Sequence, residues 1–207
     1  MAANISDEIE SKTKSELTEE EFETILKFFD VEKFTFVQTI DHYFIDDRGK
    51  LKELAKKEQI LLYVEQKEKY TLKLDLPSDN RLRSCKNLLD TEAFLELQDS
   101  GTLTEDSNVG LTLLTMSISG PFTLWGTIET HRTQIRLNLP NEWQRSKIFL
   151  SLATFPGGNT YYELEVESAN TGYSEQVRDE VLKQFCFPVR STKSKAKRFI
   201  EELEKYE

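Results

Sequence analysis

Apolar residues recur along the chain in two different periods. After Thr18, residues Phe22, Ile25, Leu26 and Phe29 return three and four positions apart. Thr18 and Glu21 have the spacing of a capping box, so a helix is predicted over residues 19–29. A helix over 174–185 would gather Val177, Val181, Leu182 and Phe185 on one face. A last helix over 192–206 would gather Ala196, Phe199, Ile200 and Leu203. Residues 50–58 read as a short helix or a charged connector, and 90–97 as a short helix ended near Gly101. Elsewhere the pattern is strand-like, over 7–13, 34–45, 60–65, 69–76, 111–118, 122–129, 130–139, 147–154 and 161–168. Turn chemistry separates these runs at Asp46-Asp47-Arg48-Gly49, Gly120-Pro121, Pro140-Asn141 and Pro156-Gly157-Gly158-Asn159. Residues 60–65 and 69–76, joined by Gln66-Lys67-Glu68, read as a hairpin. The stretch 77–108 is the least legible. No repeat or linker breaks the chain. One α+β domain over 1–207, a large antiparallel sheet with peripheral helices, accounts for these elements.

Strand parity carries the chemistry. Glu8, Glu10 and Lys12 fall on one face of the first strand. Glu163, Glu165 and Glu167 share a face of the last, with Tyr162, Leu164 and Val166 on the other. Thr71, Lys73 and Asp75 oppose Leu72, Leu74 and Leu76, while Thr130, Arg132 and Arg136 align on their strand. One face of the sheet is apolar and needs helices over it. The other is dense in charges of both signs. A half-solvated sheet gives this pattern, and so does a barrel with a polar interior. In such an interior, close carboxylates repel unless a cation sits among them. Mg²⁺ and Mn²⁺ take oxygen ligands of this kind, and basic side chains on neighbouring strands would then neutralise a phosphate.

Charge narrows the partners. With 27 Lys+Arg against 37 Asp+Glu, the formal net charge is −10. A chain with that field has no general attraction for nucleic acid or an anionic membrane. Two cysteines, Cys85 and Cys186, and two histidines, His42 and His131, supply neither a disulfide framework nor a multi-histidine zinc site. The histidines and the tryptophans Trp125 and Trp143 read as structural. No apolar run has transmembrane length and no leader segment is legible, so a soluble cytoplasmic protein is expected.

Several segments resemble the CYTH superfamily, the triphosphate tunnel metalloenzymes. This family includes class IV adenylyl cyclases, thiamine triphosphatases and tripolyphosphatases. Glu8-Ile9-Glu10-Ser11-Lys12 matches its opening E-x-E-x-K. Gln38-Thr39 and His42-Tyr43-Phe44-Ile45-Asp46 resemble the segment after its first helix. Tyr70-Thr71-Leu72-Lys73-Leu74 resembles its lysine strand, and Glu129-Thr130-His131-Arg132-Thr133 its T-x-R strand. Tyr162-Glu163-Leu164-Glu165-Val166-Glu167 resembles its late acidic strand, and Ser194-Lys195-Ala196-Lys197-Arg198-Phe199 its C-terminal basic segment.

The resemblance implies an eight-stranded antiparallel β-barrel, a tunnel, with flanking helices. It implies Mg²⁺- or Mn²⁺-dependent hydrolysis of inorganic tripolyphosphate or an organic triphosphate. Glu8, Glu10, Glu163 and Glu165 would hold metal, with Glu167 as a substitute. Lys12, Lys73, Arg132, Arg136 and Lys195 would grip the triphosphate, with Glu8, Glu10 and Lys12 the catalytic group. Two departures stand out. A basic pair of the family is replaced around Leu62 and Val64, and an expected aspartate is missing near 150–154. These departures motivate a binding module that holds a phosphorylated metabolite without hydrolysing it. Adenylate cyclase is a secondary enzymatic option, and an interaction protein that kept only the fold is a third class.

Overall fold

In a computed structural model, residues 11–30, 36–57, 59–78, 81–103, 107–136, 146–168 and 171–206 are described. The elements are β1 (Ser11–Leu17), α1 (Glu19–Phe28), β2 (Val37–Asp46), α2 (Lys50–Lys56), β3 (Leu61–Gln66), β4 (Tyr70–Ser78) and β5 (Arg81–Leu89). They continue with α3 (Thr91–Ser100), α4 (Asn108–Thr115), β6 (Phe122–Ile135), β7 (Lys147–Thr154), β8 (Thr160–Ser168), α5 (Thr171–Gln184) and α6 (Lys195–Glu204). The strands form one eight-stranded antiparallel sheet in the order β1-β8-β7-β6-β2-β3-β4-β5. The α+β class is therefore as expected. The described residues establish the sheet and its helices, and do not establish closure into a barrel.

The chain divides into two compact units. The first holds residues up to Val37, His131–Ala153 and Thr160–Thr192. Its core is built from Phe22 and Ile25 of α1, Leu164 and Val166 of β8, and Val177, Val181 and Leu182 of α5. The capping box fixes where α1 starts. The Thr18 hydroxyl accepts from the Glu21 amide at 3.2 Å, and the Glu21 carboxylate accepts from the Thr18 amide at 2.9 Å. Arg190 clamps that carboxylate from outside, and its amide donates to Ser15 Oγ at 3.0 Å.

The second unit holds Gln38–Thr130, Thr154–Asn159 and Lys193–Glu207. Its main core lies on one side of β2–β5, where Phe44, Leu62, Val64, Leu72 and Leu74 pack with Phe94 and Leu97 of α3 and Val109 and Leu113 of α4. Helix α6 packs through Phe199, which stacks on Tyr43 at 4.3 Å and meets Trp125 edge-on at 5.3 Å. Gly126 makes room for it: a Cβ there would lie 3.0 Å from the Phe199 ring.

Four sequence expectations are corrected. Residues 111–118 were expected as a strand but belong largely to α4. Ser107 Oγ accepts from the Gly110 amide at 2.9 Å, and Val109 and Leu113 are buried at helical spacing. The threonines that made the run look β-like return their hydroxyls to the helix, as Thr112 does to Asn108 O at 2.7 Å. Strand β5 was missed because its hydrophobicity runs against its burial: Leu88 is exposed while Asn87 is partly buried. The expected strands 122–129 and 130–139 are one continuous β6. The first strand, expected over 7–13, is described from Ser11 and reaches Leu17.

Candidate functional site

In the first unit, β1 places two lysines directly across from glutamates of β8. The antiparallel register aligns Lys12 with Glu167, Lys14 with Glu165 and Glu16 with Glu163. Because strand side chains alternate, Leu164 and Val166 go into the core and all three glutamates go to the other face. Two of the three glutamates are buried. Glu165 and Glu167 are only 7% and 6% exposed. Buried carboxylates persist as anions only when paired. Lys12 Nζ lies 2.6 Å from Glu167 and 3.8 Å from Glu165. Lys14 Nζ bridges Glu163 at 2.9 Å and Glu165 at 3.1 Å. Arg132 of β6 donates to both Glu165 and Glu167 at 2.9 Å, with its guanidinium 3.6 Å from the Phe149 ring centroid. Thr192 Oγ1 donates to the remaining Glu163 oxygen at 2.7 Å.

The electrostatics follow from these pairs. Burial alone would raise the Glu167 carboxyl, but hydrogen bonds from Lys12 and Arg132 outweigh it and hold its pKa at about 2. Burial opposes the charge on Lys14, yet Glu163 and Glu165 raise its pKa. A carboxyl depressed in the folded state stabilises it above the unfolded pKa of about 4.3. That stabilisation is lost as pH falls towards 2. The melting temperature is expected to drop steeply between about pH 4.5 and pH 2, and Glu167→Gln to flatten the drop. Thermal melts across that window check this, and equal slopes in both proteins would contradict it.

In the second unit, a parallel arrangement occupies the side of β2–β4 opposite the main core. Lys73 Nζ lies 2.7 Å from Glu65 and 5.7 Å from the Tyr63 ring centroid. Tyr63 donates to Asp75 at 3.1 Å. Lys195, the first residue of α6, reaches Asp41 at 3.1 Å and Thr130 Oγ1 at 3.1 Å. Burial, and then the nearby carboxylates, push both Tyr43 and Tyr63 well above the ordinary tyrosine pKa. They stay protonated and able to donate.

The structure thus brings Lys12, Arg132, Glu163, Glu165 and Glu167 together in one unit, and places Lys73 and Lys195 beside carboxylates in the other. Arg136 lies one residue beyond β6 and is exposed. Glu8 and Glu10 lie outside the described residues. Sequence reasoning missed Lys14, Asp41, Glu65 and Thr192. Lys14 was legible, because it continues the parity of Glu8, Glu10 and Lys12. Asp41 was not, because nothing in its neighbourhood shows that Lys195 would reach it. His42 has a structural place, its Nε2 2.9 Å from Gln66 Oε1 and its ring packed on Phe94.

These faces can be set against known proteins. No family profile matches the chain. YjbK of Bacillus subtilis (strain 168), named for a proposed triphosphatase activity, is 29% identical over 204 residues, 97% of this chain and 99% of its own. The crystal structure of a proposed adenylate cyclase from Bacillus halodurans superposes with a TM-score of 0.72 at 22% identity, over 92% of this chain and 98% of that one. HpAC1 from Hippeastrum, a proposed adenylyl cyclase described as having a dominant triphosphatase activity, gives a TM-score of 0.72 at 17% identity, over 93% and 94%. Over nearly its whole length the chain is similar in sequence to that Bacillus subtilis protein, and it shares the fold of the two solved structures.

One departure from the CYTH pattern changes meaning in the structure. Leu62 and Val64, where a basic pair was missed, are 1% and 0% exposed and pack in the apolar core of the second unit. The polar face of β3 presents Tyr63 and Glu65 instead. The substitution there is of an aromatic and an acid, and the acid occupies Lys73.

Proposed function

We propose that this protein is a member of the CYTH superfamily and a divalent-metal-dependent triphosphatase, a phosphoric anhydride hydrolase acting on inorganic tripolyphosphate or an organic triphosphate. The eight strands would wall a polar tunnel, and the whole of 1–207 would act as one domain in the cytoplasm. The observation that carries this reading is the row Glu163, Glu165, Glu167, two of the three buried and all three paired with Lys12, Lys14 and Arg132.

The donor chemistry fits Mg²⁺ or Mn²⁺. Glu163 and Glu165 already converge on one positive charge, the Lys14 ammonium, and they offer only hard oxygens. Among the described residues no three ligating side chains form a complete cage. Glu8 and Glu10 would complete it, with Glu167 as a further donor. A bound divalent ion supplies Lewis-acid stabilisation of charge on the phosphoryl oxygens. The chain's own residues do the rest. Lys12 is half exposed, so it can leave Glu167 and donate to a phosphate oxygen. Arg132 holds Glu165 and Glu167 in line through Nη2, and its guanidinium would stabilise charge developing on the transferred phosphoryl group. Lys73, Lys195 and Arg136 would grip the remaining phosphates.

The net charge of −10 supports a small-molecule substrate over nucleic acid or an anionic membrane. No helix among the described residues is long and apolar enough to cross a membrane. A second reading, a binding module without turnover, is favoured by Glu65, which holds Lys73 at 2.7 Å and competes with phosphate for it. Phosphate release from tripolyphosphate, with Mg²⁺ or Mn²⁺ and then with EDTA, separates the two. Metal-dependent release is expected. Binding with no release in either metal would favour the module.

A further inference from the structure

Lys14 stands where two carboxylates meet. Its ammonium lies 2.9 Å from Oε2 of Glu163 and 3.1 Å from Oε2 of Glu165. The other oxygen of each is held separately. Thr192 Oγ1 donates to Oε1 of Glu163 at 2.7 Å, and Arg132 Nη2 donates to Oε1 of Glu165 at 2.9 Å. Both carboxylates are thus anchored from outside β1, by groups other than Lys14. The β1–β8 register sets Lys14 directly across from Glu165, so its ammonium is tethered there and cannot diffuse away. Charge in this cluster is balanced. Glu163, Glu165 and Glu167 carry three negative charges, and Lys12, Lys14 and Arg132 carry three positive ones. A balanced cluster has little surplus field to draw in a dication, and an ammonium already between the oxygens repels one.

We propose that Lys14 is a built-in counter-cation that occupies the point between Glu163 and Glu165 and sets their affinity for a divalent ion. The inference rests on the reading of these glutamates as metal ligands and names how that site is regulated. The ammonium must leave before both oxygens can accept another cation. It has a way out. The Lys14 side chain is 32% exposed, and its flexible stem lets the charged head turn to water without moving β1. Lys12 does not share this position, because it lies against Glu167 at 2.6 Å and only 3.8 Å from Glu165. A lysine that served the fold alone would cost stability when lost and would not tighten metal binding. Loss of a competing cation instead leaves surplus negative charge on two anchored carboxylates, and metal binding tightens.

The test is titration calorimetry of Mn²⁺ alone into the full chain, for the parent and for Lys14→Met, which keeps most of the stem and removes the charge. Lys14→Met is expected to bind Mn²⁺ at least about tenfold tighter, because one like charge has left the site. Lys14→Arg, which keeps the charge, is expected to stay within about threefold of the parent. If Lys14→Met does not fold, Lys14→Gln carries the comparison. Lys14→Met binding no tighter than the parent, or Lys14→Arg gaining as much as Lys14→Met, would overturn the role of Lys14. Metal-dependent phosphate release by the parent would then leave the triphosphatase reading standing. No Mn²⁺ binding by any of these proteins, together with no phosphate release, would overturn both.

Discussion

Replacing Glu165 with glutamine is expected to lower phosphate release from a triphosphate at least tenfold, with the melting temperature within about 5 °C of the parent. Glu165 sits at the centre of the charged row, touched by Lys14 and Arg132 at 3.1 and 2.9 Å. Glutamine keeps its shape and one acceptor oxygen. Lys14 retains Glu163, and Arg132 retains Glu167. The fold therefore loses one charge from a network and not a whole pair, a cost of about 1–2 kcal/mol. The chemistry loses a hard anionic oxygen where a divalent ion would sit, and a neutral amide is a poor substitute. Steady-state turnover and thermal melts on the same preparation check both halves. Unchanged turnover would mean that the glutamate row is only a structural ion-pair network.

The second large effect lies in the apolar core of the second unit. Val64→Arg is expected to destabilise the protein by about 4 kcal/mol or more, a large part of the 5–15 kcal/mol that holds an ordinary domain together. Val64 is fully buried among Leu62, Leu72, Leu74 and Phe94, and nothing in that core could pair with a guanidinium. Tyr63→Arg, one residue away, points to the polar side with Asp75 and Glu65. It is expected to cost far less, mostly the lost stacking on Tyr43, about 1 kcal/mol. Denaturant midpoints of the two variants check this. Similar midpoints would contradict the strand parity on which both faces depend.

Parity was legible in the sequence wherever hydrophobic alternation was clean. In β8 the order Tyr-Glu-Leu-Glu-Val-Glu assigned each side chain to its face, and in β4 Leu72 and Leu74 separated from Lys73 in the same way. The capping box of α1 was legible because its two hydrogen bonds are local. What failed was what tertiary contacts decide. α4 was taken for a strand because its leucines and threonines carry no helical signature without the helices and strands they pack against. β5 was missed because its exposed and buried positions do not follow hydrophobicity. The missing basic pair was placed at Leu62 and Val64 because sequence alone could not say which side of β3 faced the core. The pairing of Asp41 with Lys195, 154 positions apart, depends on α6 returning to β2 and has no local trace.

The most direct test of the account is phosphate release from tripolyphosphate and from ATP by the purified full chain, in Mg²⁺ and in Mn²⁺. The Glu8→Gln/Glu10→Gln double variant and an EDTA-treated sample serve as controls. Turnover that needs the metal and falls at least tenfold in the double variant is the predicted result. Absence of turnover in both metals, or turnover that is the same in the variant and in EDTA, would contradict it.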